Sequence, residues 1–144
     1  MRVAEHDGAQ VLETVEVTVN KNSLEVSDPK IIGTLPKSAS AENFLYSKGA
    51  GVLVFSAAVY GDHDIHTINP QDEAHAARGT SAYVFDGTFV RHWDRWCGPK
   101  KNRLFSVDLT KSDDGSWHLG DTFYRPLLHT AHVGATYELY FCVY

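Results

Sequence analysis

GVLVFSAAVY, Gly51–Tyr60, is the stretch whose reading decides the fold class. Val52, Val54 and Val59 are β-branched, Phe55 is aromatic, and glycines at Gly49 and Gly51 introduce the run. A short apolar run of this make-up reads as a strand of the kind buried on both faces. The whole run Gly49–Tyr60 is far too short to cross a bilayer, which takes about 20 apolar residues as a helix.

Working upstream, VLETVEVTV at Val11–Val19 alternates almost strictly. Val11, Val15, Val17 and Val19 point one way, interrupted by Glu13, and Leu12, Thr14, Glu16 and Thr18 the other. Period two predicts a sheet with one buried face. Lys21-Asn22 and Ser27-Asp28-Pro29 supply turn chemistry around a short strand at Leu24–Val26. Lys30–Leu35 and Glu42–Ser47 read as further strands, with Pro36–Ala41 a loop of small residues between them.

Downstream, one helix is expected. Asn69 is placed to cap it, Pro70 suits the first helical position, and Asp72 and Glu73 lie at the positive end of the dipole. Ala74, Ala76 and Ala77 carry it to Arg78, and Gly79 stops it. Leu104, Ser106 and Asp108 oppose Phe105, Val107 and Leu109 in a further strand, KSDDG turns the chain before Gly115, and Ser116–Leu119 returns. Thr136–Val143 reads as a last strand. Ser81–Trp93 carries both a helical spacing (Val84, Phe85, Phe89, Trp93) and a strand-like composition.

These elements make the chain mostly β with one short helix, and strands at short intervals indicate a sandwich, barrel or propeller. Propeller blades take about 40–50 residues each, so on a propeller reading, which rests mainly on the resemblance given below and not on periodicity, the chain would hold roughly two to three. Turns at Asp28-Pro29, Asp86-Gly87 and Asp114-Gly115 are compatible with blades but do not form a clean repeat.

Composition narrows the function classes. The 144 residues suit one domain, and 43% hydrophobic with 12% aromatic residues is globular. A formal net charge of −5 argues against nucleic acid as a partner, and no run indicates a membrane. Met1 is followed by Arg2, Glu5, His6 and Asp7, with no secretory leader, and no Asn-x-Ser/Thr acceptor occurs. Cys97 and Cys142 permit one disulfide, demand none, and match no zinc spacing.

Three motifs invite chemistry. Asp62, His63, Asp64 and His66, with His75 beyond them, carry metal-ligand side chains, but the favoured reading is a solvated acidic loop, and no metal or other cofactor is expected. The Trp93/Trp96/Arg91 face has hot-spot composition for a binding module. The favoured reading there is packing of the tryptophans, with Arg91 and Asp94 paired. The basic run Gly98–Arg103 reads as a charged lead into a strand. No Gly-x-Ser-x-Gly elbow is present: Ser47, Ser81 and Ser116 all miss it, so no catalytic residue is assigned.

FVRHWD at Phe89–Asp94, GPKKNRLFSVDL at Gly98–Leu109 and RGTSAYVFD at Arg78–Asp86 resemble the propeller domain of the dipeptidyl-peptidase V family. These are serine peptidases of the prolyl-oligopeptidase superfamily, and the fungal members are the most alike. The resemblance covers roughly Ala39–Asp121. It implies a partial β-propeller spanning 1–144, without the hydrolase domain that carries the triad in intact members. It also implies a secreted parent enzyme whose propeller screens peptide substrates by size. On that reading the chain is inactive alone, meets peptides only within an intact enzyme, and self-associates through open strand edges.

Overall fold

A computed structural model describes residues 1–21, 23–82 and 98–126, with the backbone alone of 91–92 and 95–96. The described chain is mostly β with one short α-helix, and its antiparallel sheets are open.

The first sheet begins with strand β1 (Arg2–His6), which was not expected from the sequence, and β2 (Ala9–Thr14). His6 pairs with Ala9 across Asp7-Gly8, whose φ angles are 51° and 74°. Positive φ at both central residues is the hairpin turn that Asp-Gly favours. The period-two run breaks at Val15-Glu16, and β3 (Val17–Asn20) pairs with β4 (Ser23–Val26) as a separate two-stranded sheet. Strand β5 (Lys30–Thr34) then returns beside β2, giving the order β1-β2-β5. The break reverses the expected burial. Leu12 is the fully buried residue of the run, while Val17 and Val19 are exposed. Only the stretch within the three-stranded sheet has a core to face.

The second sheet has the order β11-β10-β7-β6, a four-stranded antiparallel meander in chain order. It comprises β6 (Glu42–Ser47), β7 (Val52–Val59), β10 (Lys101–Lys111) and β11 (Trp117–Tyr124). β7 is not buried on both faces as its composition suggested. Leu53, Phe55, Ala57 and Val59 are buried, whereas Val52, Val54, Ser56 and Ala58 are half-buried. Its neighbour β10 alternates as expected, with Phe105, Val107 and Leu109 inward. Phe55 anchors this face. Its ring centroid lies 5.9 Å from Phe105, 5.6 Å from Phe44 and 6.1 Å from Phe123.

One hydrophobic cluster joins the sheets, combining Leu12, Ile32 and Leu35 with the inner face of β7 and β10. The sheets approach closely where β5 passes β11: a Cβ at Gly33 would lie 2.5 Å from Leu119 Cβ. The loop after β5 is stitched to β2 by one side chain. Gln10 Nε2 donates to Ala41 O at 3.0 Å, and Ala41 N donates to Gln10 Oε1 at 2.6 Å.

Between β7 and β10 the chain makes one excursion. It holds a 3₁₀ turn (Ile65–Thr67), helix α1 (Ile68–Ala76) and the short strands β8 (Arg91–His92) and β9 (Arg95–Trp96), which pair antiparallel. The helix starts earlier than expected. Thr67, not Asn69, occupies the cap position, and Pro70 falls inside the first turn, where its missing N–H costs nothing. Gly79 follows the helix at φ 62°, the left-handed conformation expected of the stop. Thr136–Val143, Cys97, Cys142 and most of Ser81–Trp93 lie outside the described residues.

Candidate functional site

The excursion gathers most of the charged and imidazole side chains that the sequence singled out, on two sides of α1. On the first side, Tyr60 leaves β7 and donates its hydroxyl proton to Asp72 Oδ1 at 2.8 Å. Lys100 Nζ closes on the same carboxylate at 2.6 Å and lies 5.3 Å from the centre of the Tyr60 ring. His75 stacks on the other part of this unit, its ring 5.3 Å from Tyr60 and nearly parallel to it. Burial, reinforced by the hydrogen bond to Asp72 and its negative charge, pushes the Tyr60 phenol up to about 12. Lys100 is thus a tether from the start of β10 to α1, and its charge is matched.

A cleft of about 400 Å³ opens beside this unit, with Glu5, Gln10, Ser38 and Glu42 on its walls next to Asp72 and Lys100. Ser38 and Ser40, which both line it, have φ 60° and 44°, a conformation rare outside glycine. Ser38 N donates to Gly8 O at 3.1 Å, and Ser38 Oγ to Asn69 Oδ1 at 3.2 Å.

The acidic loop forms the second side. Asp62 accepts from Thr67 Oγ1 at 2.6 Å and from Gln71 Nε2 at 2.8 Å. The Thr67 hydroxyl, with help from the Asp64 N–H and Gln71, holds the Asp62 carboxyl below the ordinary aspartate value. Asp64 accepts from His66 N at 2.9 Å and caps the 3₁₀ turn. The two histidines then diverge. His63, at φ 58°, accepts from Arg103 Nε on Nδ1 at 3.3 Å, which leaves the ring proton on Nε2. His66 meets Phe123 edge-on at 5.5 Å. Arg125 donates to the His63 carbonyl at 3.3 Å. A second cleft of about 340 Å³ lies among His63, His66, Asp121, Phe123 and Arg125. Among the described residues no three His, Cys, Asp or Glu side chains stand close enough to share a metal ion. The loop's carboxylates serve its own turn.

Ser116 has a serine–histidine–aspartate neighbourhood that the sequence did not suggest. Its hydroxyl lies 2.6 Å from Asp114 Oδ1 and 2.9 Å from His118 Nε2. The wiring is that of a turn. The Ser116 hydroxyl donates to Asp114 two residues before it, and the His118 ring nitrogen meets the same oxygen from the start of β11. Ser116 N also donates to Asp114 at 2.9 Å, and these bonds lower the Asp114 carboxyl. The arrangement orders the β10–β11 connection.

Of the aromatic face, only backbone is described: Arg91 pairs with Trp96 in β8–β9, and Trp93 and Asp94 lie outside the described residues. Among the described residues, charged side chains line both of these clefts.

Curated relatives give the similarity a direction. The chain is 51% identical to dipeptidyl-peptidase 5 of Trichophyton schoenleinii over 35 residues, 24% of this chain and 5% of that protein. Dipeptidyl-peptidase 5 of Arthroderma benhamiae matches to the same degree. Dipeptidyl-peptidase 5 of Schizosaccharomyces pombe is 25% identical over 76 residues, 53% of this chain and 11% of that protein. The chain therefore shares partial homology with dipeptidyl-peptidase 5, and covers only a small part of those relatives' length. No family model matches the chain, and no solved structure matches it.

Proposed function

We propose that this chain is a piece of a dipeptidyl-peptidase V-like serine peptidase, drawn from the β-propeller that screens peptides and not from the domain that cuts them. The observation that carries this reading is the 51% identity with dipeptidyl-peptidase 5. The meander β6-β7-β10-β11 supports it, since a propeller blade is a four-stranded antiparallel sheet. The sheet β1-β2-β5 then belongs to a neighbouring blade. On this reading the exposed Leu45 and Leu104, on the outer face of the meander, are covered by a further blade in the parent protein.

Peptides are the partner of the intact enzyme, which is secreted; the 144-residue chain neither cleaves them nor carries a triad. Left alone, its open strand edges favour self-association. A free-standing binding module is the second reading, favoured by the β8–β9 register that sets Arg91 opposite Trp96.

A serine-directed fluorophosphonate separates the readings. The chain alone is expected to stay unlabelled and to leave dipeptidyl chromogenic substrates intact. The longer product of the same locus is expected to label and to release dipeptides. Labelling of the 144-residue chain, or a longer product without peptidase activity, overturns the proposal.

A further inference from the structure

Asp-Gly is the dipeptide in which a side-chain carboxyl and the next backbone N–H meet with least hindrance, because glycine brings no Cβ to the approach. Two such pairs lie among the described residues, Asp7-Gly8 at the β1–β2 turn and Asp114-Gly115 at the β10–β11 turn; Asp86-Gly87 falls outside them. Both described glycines have positive φ, 74° and 87°. The two turns differ in what holds the reacting groups. At the second, Gly115 N donates to Ser112 O at 2.9 Å. The Asp114 carboxylate accepts from Ser116 Oγ at 2.6 Å and from Ser116 N at 2.9 Å, and these bonds keep it below the ordinary aspartate value. Nucleophile and electrophile are both engaged there. At the first, no hydrogen bond engages the Gly8 N–H among the described residues. The Asp7 carboxylate lies 3.3 Å from His6 Nδ1, and with these side chains 83% and 79% exposed the contact holds it loosely. A Cβ at Gly8 would meet nothing within 4 Å, so the amide stands in open space. The turn also ends β1, an edge strand with four of its five residues exposed, where local opening costs little.

We propose that Asp7 is a site of spontaneous backbone isomerisation to isoaspartate, and that the hydrogen bonds of the β10–β11 turn withhold Asp114 from the same reaction. Gly8 N attacks Cγ of the protonated Asp7 carboxyl. The new N–Cγ bond closes a succinimide ring, and the amide proton leaves with the carboxyl hydroxyl as water. Water then opens the ring at Cγ, restoring aspartate, or at the Asp7 backbone carbonyl carbon, which leaves the chain running through the side chain. The reaction consumes no oxidant and no co-reactant besides the water it first released. The isoaspartyl link puts an extra methylene into the main chain of a two-residue turn and leaves the carboxylate on Cα. The His6–Ala9 pairing depends on the length of that turn. Gly8 also lines the first cleft and accepts from Ser38 N at 3.1 Å on its carbonyl. Isomerisation at Asp7 therefore loosens β1 and reshapes the cleft that Ser38 shares with Asp72 and Lys100.

Timed incubation of the whole chain in warm neutral buffer, native and in concentrated urea, tests this. Peptide mapping with electron-transfer fragmentation separates isoaspartate from aspartate at each position. In the native chain isoaspartate is expected to accumulate at Asp7 about tenfold faster than at Asp114, or more. In urea the two rates are expected to come within about threefold of each other, because local structure is what sets them apart. A native chain without isoaspartate at Asp7, or with equal rates at the two turns, overturns the inference. So does a preference for Asp7 that persists in urea, which assigns it to flanking sequence and not to the turns.

Discussion

Gly33 and Tyr60 each concentrate a whole region's physics in one side chain, or in its absence. Adding a methyl group at Gly33 sets a Cβ 2.5 Å from Leu119 Cβ and 2.8 Å from its Cδ2, at the approach of the two sheets. Gly33→Ala is expected to cost about 1–3 kcal/mol in urea unfolding. Leu119→Gly removes all the atoms it strikes, the Cβ included, so the double variant is expected to lose less than the sum of the single losses. Tyr60 makes the fold sensitive to alkali. Its folded value of about 12 lies above the ordinary 10, so the neutral phenol belongs to the folded state. The associated stability is complete below pH 10 and is lost as pH rises through 12. Thermal melting across that window is expected to fall more steeply in the parent chain than in Tyr60→Phe, by roughly 2 kcal/mol. Parallel curves contradict the assignment.

At the scale of elements, legibility followed the reach of each signal. Alternation in Leu104–Leu109 was read correctly because the strand lies within one sheet with one inner face. The equally regular Val11–Val19 misled. A break at Val15-Glu16 sends its second half into an arm beyond the core, and nothing in an alternating pattern reports where the core ends. Composition alone overstated the burial of β7, since its outward residues pass for core residues in a list of apolar types. Asp7-Gly8 did carry a hairpin signal, and with it β1 was readable. At the site, the residue types of the acidic loop were legible but their partners were not. Thr67, Gln71, Arg103 and Arg125 arrive from other parts of the chain. The Gln10 bracket on Ala41 is of the same long-range kind. Gln10→Ala leaves a buried N–H and C=O without their partner and is expected to cost about 1–3 kcal/mol, read by chemical denaturation.

For the molecule as a whole, one cluster serves both sheets, so they are expected to unfold together. Phe55, fully buried against three other aromatic rings, is the position at which this shows. Phe55→Ala is expected to cost about 3–5 kcal/mol and to lower a single calorimetric transition. Two separated transitions contradict a shared core. The larger claim is that this β-rich chain belongs to the screening part of a serine peptidase, and it is tested most directly on the transcript of the source locus, read through both ends of the frame. The account predicts a frame that continues into further blade-like strands and then a Gly-x-Ser-x-Gly elbow with Asp and His following it. A transcript that closes at Tyr144, with no elbow in frame, contradicts it.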